Sequence, residues 1–269
     1  MTDLFPPFEP DKQSRPRRFN TVPLRLLVPN VITLLSLCAG LTGIRFGFEG
    51  QLGEAIISIL VAAVLDGLDG RIARLLKGTS RFGAELDSLA DFISFGVAPA
   101  IILYSYGLNN LKSIGWIVAL LFASAAALRL ARFNVMIDDP ERPEWQKNFF
   151  VGIPAPAGAL TGLLPAYVIQ LGFTPPPLFS VVEALYLLFI AYLMISRIPT
   201  FAGKTFGSRV PREWVVPFFV IAIAIVGLLV TYPFQFLASV TVMYLILIPL
   251  GASRYRALEQ AQKAAHPVN

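Results

Sequence analysis

The stretch VLDGLDGRIARLLKGTSRFGAELDSLADFISFG, residues 64–96, places four aspartates in an otherwise apolar part of the chain. They are Asp66, Asp69, Asp87 and Asp91. An unpaired carboxylate in hydrocarbon is costly, so an acidic residue inside a membrane helix is a functional candidate by default. The stretch therefore predicts a functional site built into membrane helices.

The composition of the whole chain fits a membrane protein. Of its 269 residues, 55% are hydrophobic and only 14% are charged, whereas soluble domains carry about a quarter charged residues. Several apolar stretches approach or exceed the length that spans a bilayer as a helix. We predict an all-α polytopic membrane bundle: a transmembrane domain over residues 28–255, preceded by a basic arm at 1–27 and followed by a polar tail at 256–269.

Eight apolar spans follow one another with short connections. Proline cannot continue a helix, so the TPPPL segment at residues 174–178 and Pro233 each separate two spans. The predicted spans are residues 28–48, 53–76, 86–107, 114–135, 154–173, 178–199, 214–232 and 234–255.

Basic residues predict the orientation of these spans. Of the 22 lysines and arginines, all but Arg45 and Lys112 fall in the termini or in alternate connections, and cytoplasmic segments are enriched in such residues. Both termini and the aspartates are then cytoplasmic. The net charge of +5 is explained by this topology, with some arginines available to lipid headgroups or phosphates. No nucleic-acid-reading element is visible.

Two residue counts restrict the chemistry. Cys38 is the only cysteine, which excludes an intrachain disulfide and a CxxC metal site. His266 is the only histidine and lies in the polar tail, so catalysis and metal ligation by histidine are not expected.

Spacing predicts that the aspartates converge. Asp66 and Asp69 are three apart, and Asp87 and Asp91 are four apart, so each pair shares one helix face. The turn KGTSRFG at residues 77–83 makes the two helices antiparallel neighbours. Four carboxylates at one depth repel strongly unless cations neutralise them. An all-oxygen ligand set suits Mg²⁺, Mn²⁺ or Ca²⁺.

Other residues of the stretch suggest what would bind beside the cations. Gly67, Gly70 and Gly83 allow a backbone or a ligand to approach closely, and Arg74 offers bidentate bonding to a phosphate. Together they point to phosphoryl chemistry on a lipid. The alternative is that the aspartates only form structural salt bridges with Arg71, Arg74 or Arg81, or helix caps.

The same residues resemble a known family signature. The pattern Asp-x2-Asp-Gly-x2-Ala-Arg-x8-Gly-x3-Asp-x3-Asp is complete in this sequence and resembles that of the CDP-alcohol phosphatidyltransferases. The resemblance implies a six-helix catalytic core, usually dimeric, with a site for CDP-diacylglycerol and two divalent cations, Mg²⁺ or Mn²⁺. The residues that fill the pattern are Asp66, Asp69, Gly70, Ala73, Arg74, Gly83, Asp87 and Asp91.

The resemblance also implies a role for each residue. Asp66, Asp69 and Asp87 would hold the cations, while Asp91 would touch the second cation and act as general base. The phosphatidyl group would pass directly to an acceptor hydroxyl, with CMP as leaving group. The expected contacts to CDP-diacylglycerol are Gly70, Ala73, Arg74, Gly83, Asn30 and Thr33.

Weaker motifs suggest the acceptor. VPNVITLLSLCAGL, RLARFNV, FVGIPAPAGA and SRIPTFAGKTF resemble segments of bacterial integral-membrane phosphatidylserine synthases, which implies L-serine as acceptor. Glycerol 3-phosphate, choline and inositol remain open, because other branches share the aspartate signature. Arg132 and Arg197 could hold the acceptor's carboxylate or a lipid phosphate, or simply anchor the spans at the cytoplasmic surface. Asn134 is a possible polar contact to serine.

Two other classes of protein are compatible with intramembrane acids. An ion-coupled transporter would need broken helices or inverted repeats near the midplane, whereas these acids lie in one hairpin near one membrane face. A structural membrane protein would use the acids only in salt bridges. Release of CMP from CDP-diacylglycerol separates the enzyme from both.

Overall fold

The computed structural model describes residues 24–78, 80–137, 149–196, 198–201 and 214–265, and helices form nearly all of this described part. The predicted arm therefore lies almost wholly outside the described residues. The helices are α1 (Leu24–Phe48), α2 (Leu52–Leu75), α3 (Arg81–Asp91), α4 (Ala98–Tyr106), α5 (Ser113–Ile137), α6 (Ala155–Gly162), α7 (Leu164–Gln170), α8 (Phe179–Ile195), α9 (Val215–Thr231) and α10 (Pro233–Ala265).

The all-α fold predicted from the sequence is confirmed. Among the described residues, Leu24–Phe48, Arg81–Tyr106, Ser113–Val135 and Pro233–Gly251 are long and apolar enough to cross a membrane. The helices α8 and α9 are also apolar but shorter. The last helix continues to Ala265, ten residues past the predicted end of its span at 255. The architecture is that of a polytopic helical membrane protein.

The third span is not a single α-helix. Between α3 and α4 the chain forms a π-helical segment, Phe92–Val97, and a short 3₁₀ turn, Leu108–Leu111, follows α4. Inside the π-helical segment, the Ser94 hydroxyl donates to the Ser36 carbonyl oxygen of α1 at 3.3 Å. Phe95 is fully buried beside it. π-helical turns inside α-helices are frequent next to functional sites.

The fifth span is broken between α6 and α7. Pro165 lies at the start of α7 and has no N–H, so it cannot bond the carbonyl of Thr161 one turn earlier. The hydroxyl of Tyr186, on α8, donates to that carbonyl oxygen at 2.7 Å. A group from another helix thus satisfies the backbone acceptor that the proline releases, as burial in an apolar interior requires.

Helix α1 packs closely on α2 and on the third span through small side chains. Its buried residues are Pro29, Thr33, Ser36, Gly40, Gly43 and Gly47. The Ser36 hydroxyl donates to the Ala62 carbonyl oxygen of α2 at 2.9 Å. Small residues bring helix backbones together where no hydrophobic driving force acts between helices.

One feature of the fold has no counterpart in the sequence analysis. Two three-residue strands, β1 (Phe149–Val151) and β2 (Pro199–Phe201), pair antiparallel and join the connection after α5 to the connection after α8. Beside them, the Gly152 amide donates to the Ile198 carbonyl oxygen at 2.9 Å. Gly152 has a φ of +76°, a conformation that favours glycine.

Helix α9 differs from the others because none of its residues is buried. Its apolar side chains are therefore available to lipid. The interior is instead formed by α2, the third span, α5, α6, α7 and α8, and its largest fully buried side chains include Phe95, Phe122, Tyr167 and Leu187.

We predict that Gly40→Ala destabilises the protein by about 1–3 kcal/mol, as overpacking a close helix contact does. A β-carbon at this position would lie 2.5 Å from Ser94 Oγ and 2.8 Å from Ser94 Cα. The measurement is thermal unfolding of the purified protein in detergent.

The matched control is Gly227→Ala, because a β-carbon at this α9 position would meet nothing within 4 Å. Alanine is the better helix former, so this variant should unfold at the wild-type temperature or above it. Equal unfolding temperatures for the two variants would contradict the close packing of α1.

Candidate functional site

Three of the four aspartates meet at one end of the helical hairpin. Asp66 and Asp69 lie in the last part of α2, and Asp87 lies in the second turn of α3. Each of the three offers a carboxylate oxygen, and these oxygens all lie within 4.8 Å of one another. The turn that allows this ends at Ser80, whose hydroxyl accepts from the Gly83 amide at 3.0 Å and caps α3.

Asp69 is the most buried member, with 4% of its surface exposed. The Thr33 hydroxyl of α1 donates to Asp69 Oδ2 at 2.7 Å and also approaches the Pro29 carbonyl oxygen at 3.1 Å. Pro29 has no N–H, so the carbonyl of Arg25, one turn earlier in α1, lacks its usual helical partner. A β-carbon at Gly78 would collide with this carbonyl oxygen, so the chain after α2 lies directly against α1. Helix α1 thus both orients Asp69 and holds the end of the hairpin.

Asp91 lies one turn beyond Asp87, and its carboxyl group is within hydrogen-bonding reach of Asp66. The fourth acid therefore contacts the edge of the three-carboxylate cluster. It is also the last residue of α3, so the π-helical segment begins immediately after it.

Arg129 is a site residue that the sequence analysis did not identify. It is only 7% exposed and lies close enough to Asp91 and Asp66 for electrostatic attraction. Its guanidinium carbon lies 5.1 Å from the centroid of the Phe133 ring. In the sequence it was interpreted as one of the residues that set membrane orientation. Arg129 lies four residues after Ala125, a small residue on the buried face of α5, so the two share one helix face. This spacing is the signal that could have identified Arg129 as buried.

The residues expected to contact CDP-diacylglycerol surround the hairpin. A side chain at Gly83 would meet Asn30 Oδ1 at 2.9 Å, which places the Asn30 amide against α3. A side chain at Gly70 would meet the Arg74 guanidinium at 3.6 Å, so Arg74 extends over Gly70. Arg74 is exposed and Ala73 is half-buried. Gly83 is thus in close contact with Asn30, and the exposed Arg74 side chain lies over Gly70.

The residues expected to bind the acceptor already make contacts within the protein. Arg132 Nη1 donates to the carbonyl oxygens of Ile195, at 2.5 Å, and Ser196, at 3.5 Å, where α8 ends. Asn134 Nδ2 donates to Ser88 Oγ at 2.9 Å, which links α5 to α3. Arg197 lies outside the described residues.

The alternative of structural salt bridges does not account for the cluster. Among the described residues, the only ion pair within 4.0 Å is the exposed one between Arg45 and Glu49. None of the described arginines of the hairpin therefore forms a direct ion pair with the three carboxylates. An all-carboxylate donor set of this kind fits hard divalent cations such as Mg²⁺ or Mn²⁺.

Comparison with protein families gives a match over most of the chain. The family model described as CDP-alcohol phosphatidyltransferase matches residues 26–196, and one described as CDP-alcohol phosphatidyltransferase 2 matches residues 213–249. The first match contains all four aspartates, Arg129 and the β1 strand.

Comparison with individual proteins gives several relatives named CDP-diacylglycerol–serine O-phosphatidyltransferase. The relative from Mycobacterium leprae is 42% identical over 259 residues, which cover 94% of this chain and 82% of the relative. The relative from Helicobacter pylori is 35% identical over 220 residues, covering 82% and 88%. The relative from Bacillus subtilis is 33% identical over 171 residues, covering 64% and 88%.

We predict that Thr33→Val weakens divalent-cation binding about 10- to 100-fold, because partners that orient a ligating carboxylate typically have effects of that size. Valine keeps the shape of threonine and removes the donor to Asp69. Mn²⁺ binding, followed by electron paramagnetic resonance of the purified protein, is the measurement.

The control for this variant is Thr42→Val on the same helix. Thr42 donates only to the Cys38 carbonyl oxygen of its own helix, so its loss should leave the Mn²⁺ affinity unchanged. If Thr33→Val also binds Mn²⁺ as the wild type does, Thr33 does not support the cluster.

Proposed function

The chain belongs to the CDP-alcohol phosphatidyltransferase family, and from that premise we propose that it transfers the phosphatidyl group of CDP-diacylglycerol to the hydroxyl of L-serine. The products are phosphatidylserine and CMP. The observation that carries the proposal is the convergence of three carboxylates beside a fourth, Asp91, in a membrane hairpin that matches the family. The choice of serine rests on the names of the relatives.

Direct displacement accounts for the products. The serine hydroxyl oxygen forms a bond to the phosphorus that carries diacylglycerol, and the bond between that phosphorus and the CMP oxygen breaks. The hydroxyl proton passes to Asp91, and CMP leaves with the electron pair of the broken bond. No covalent enzyme intermediate is required.

The three clustered carboxylates fit the cation dependence that is general in this family. Asp66, Asp69 and Asp87 would hold two divalent cations, Mg²⁺ or Mn²⁺, which supply positive charge against the diphosphate of CDP-diacylglycerol. Thr33 keeps the Asp69 carboxylate in one orientation through its hydrogen bond. Pre-set ligands of this kind need no rearrangement during the reaction.

Asp91 is the general base in this proposal. Its carboxyl group lies at the edge of the cluster, beside Asp66, so it can reach a hydroxyl that approaches the phosphorus from outside the ligand set. The buried guanidinium of Arg129 lies near both acids and positions them by attraction. Arg129 is fixed in turn by its contact with the Phe133 ring.

The nucleotide and the acceptor have separate candidate contacts. The small side chains of Gly70, Ala73 and Gly83 let the nucleotide lie close to the backbone, and Arg74 binds a phosphate. Arg132 retains further guanidinium donors after its bonds to the end of α8, and we assign it to the serine carboxylate. The charge distribution along the chain supports a site that faces the cytoplasm of a bacterial inner membrane. A homodimer is expected from family resemblance.

We predict that Asp91→Asn lowers kcat about 10²- to 10⁴-fold, the usual effect of losing a general base. Asparagine keeps the size of the side chain and cannot take the proton. Because Asp91 shares less of the cation coordination, Mn²⁺ affinity should fall much less in this variant than in Asp66→Asn, which should lose Mn²⁺ binding as well as activity.

The measurements are CMP release from CDP-diacylglycerol and Mn²⁺ binding, with EDTA as a further test. EDTA should abolish CMP release, and added Mg²⁺ or Mn²⁺ should restore it. Wild-type turnover in Asp91→Asn would contradict the base assignment, and full activity after exhaustive chelation would contradict the cation site.

We predict that L-serine, among four acceptors offered separately with labelled CDP-diacylglycerol, gives by far the fastest CMP release. Glycerol 3-phosphate, choline and inositol are the other three. An enzyme that ignores serine and uses one of these would refute the acceptor assignment and leave the phosphatidyltransferase assignment intact.

The acceptor panel also tests Arg132. Arg132→Lys keeps the charge but cannot reproduce the planar donor fork, so it should raise the KM for serine without changing the KM for CDP-diacylglycerol. Equal effects on both KM values would assign Arg132 to the support of α8 alone.

A further inference from the structure

The turn between α2 and α3 lies level with the beginning of a membrane span. Gly78, in this turn, packs so closely on the first turn of α1 that a β-carbon would lie only 3.0 Å from the carbonyl carbon of Arg25. Helix α1 is long and apolar enough to cross a membrane from this point. The turn is therefore held at the depth where the hydrocarbon of a bilayer ends and the lipid headgroups begin.

Basic side chains cover this end of the molecule. Residues 70–84 contain four basic residues and no acidic one, and α1 adds a fifth basic residue beside them. None of the five forms an ion pair within 4.0 Å with another described residue, not even Arg81 with Glu85, the next exposed acid along α3. All five are exposed, and together they form the basic tip: Arg25, Arg71, Arg74, Lys77 and Arg81.

Large apolar side chains are exposed among these charges. Leu24 is 74% exposed, Leu75 80% and Phe82 69%. They lie at the start of α1, the end of α2 and the start of α3, so all three belong to the same end of three neighbouring helices. Basic residues mixed with exposed large apolar ones are typical of segments that lie in the interface of a membrane.

The backbone of the turn has a lysine where glycine would be favoured. Lys77 has a φ of +49°, which lies in the left-handed region. The next amide, of Gly78, donates to the Ala73 carbonyl oxygen at 2.9 Å and so closes the end of α2. Helices that end in this way usually have glycine at the left-handed position, because a β-carbon is unfavourable there. A lysine at this position supports a role for its ammonium group.

Charge and apolar surface together restrict the partner. Five exposed positive charges attract anions, whereas the exposed leucines and Phe82 need a partner that also offers hydrocarbon. Free phosphate supplies only the charge. A leaflet with anionic lipids supplies both, because its phosphates lie at the level of the basic side chains and its acyl chains begin directly beneath them.

We propose that the basic tip binds the headgroups of anionic lipids in the leaflet beside it, with Leu75 and Phe82 inserted among the first carbons of the acyl chains. Arg74 stays with the diphosphate of CDP-diacylglycerol, and the other basic residues of the tip contact the phosphates of surrounding lipids. This attachment fixes the hairpin that carries the three clustered carboxylates. The carboxylates thus keep a constant depth relative to a substrate that arrives within the leaflet.

The first experiment measures which lipids the full-length protein retains. Nanodiscs contain equal amounts of phosphatidylglycerol, which is anionic, and phosphatidylcholine, which has no net charge. Native mass spectrometry of the released protein then gives the ratio of the two retained lipids. The wild type should retain phosphatidylglycerol in excess, and high salt before release should remove the preference because it screens surface charges.

Variants locate the preference on the hairpin. Arg71→Gln/Lys77→Gln/Arg81→Gln should lower the ratio of phosphatidylglycerol to phosphatidylcholine at least about fivefold, the effect of losing even one basic residue at an anionic surface. Arg71→Lys/Arg81→Lys keeps the charges and should keep the ratio. Arg45→Gln is the control, because Glu49 already offsets this arginine at 2.7 Å. Thermal unfolding in detergent verifies that each variant is folded.

The second experiment measures the depth of the tip and leaves its basic residues intact. Cys38→Ser removes the native cysteine, and Phe82→Cys then carries a spin label in protein held in nanodiscs. Oxygen, which concentrates in hydrocarbon, and a water-soluble nickel chelate should both relax this label, as expected at the interface. A label at Val220→Cys, on α9 and 61% exposed, is the reference for hydrocarbon and should respond to oxygen alone.

Equal retention of the two lipids by the wild type overturns the proposal, and so does an unchanged ratio in the folded triple variant. A label at residue 82 that responds only to the nickel chelate would place the tip in water. A label that responds to neither would place another protein surface over it, and either result overturns the proposal. The label decides alone if the triple variant is not folded. Neither experiment uses serine, so the outcome is independent of the acceptor assignment.

Discussion

Repulsion among carboxylates is the constraint on which the rest of the structure depends. Three of them lie within 4.8 Å of one another, with Asp69 buried and Asp66 and Asp87 half-buried. Their arrangement persists because neighbouring elements fix it: α1 donates to Asp69, Ser80 caps α3, and Arg129 places one positive charge behind Asp66 and Asp91. The helices are therefore packed around a site that is unfavourable without its ligands.

Most of this site could be predicted from the sequence because it lies within one hairpin. The spacings of Asp66 to Asp69 and of Asp87 to Asp91 define helix faces, and the short turn forces the faces together. Local geometry of this kind needs no knowledge of the other helices. The same holds for the apolar helices, whose length and flanking prolines are properties of the chain itself; among the described residues, four stretches are long and apolar enough to cross a membrane.

The features that escaped sequence analysis depend on distant contacts. Burial of Arg129 follows from the packing of α5 against the hairpin, and the break before Pro165 is tolerated because Tyr186 bonds the released carbonyl of Thr161. The strand pair needs two connections more than 40 residues apart in sequence to meet. Arg132 has a clear motif context, yet its bond to the end of α8 appears only in three dimensions.

The π-helical segment after Asp91 has a consequence for how the third span is divided. A π turn holds about one residue more than an α turn, so it shifts the angular phase of everything that follows it. The face that α3 presents is dictated by Asp87 and Asp91, whereas the face of α4 is dictated by the core around Ile102 and Gly107. The extra residue in the π-helical segment lets α3 and α4 present these two different faces within one continuous helical span. Substitutions that change the packing of α4 can therefore occur without rotating the carboxylates of Asp87 and Asp91 on α3.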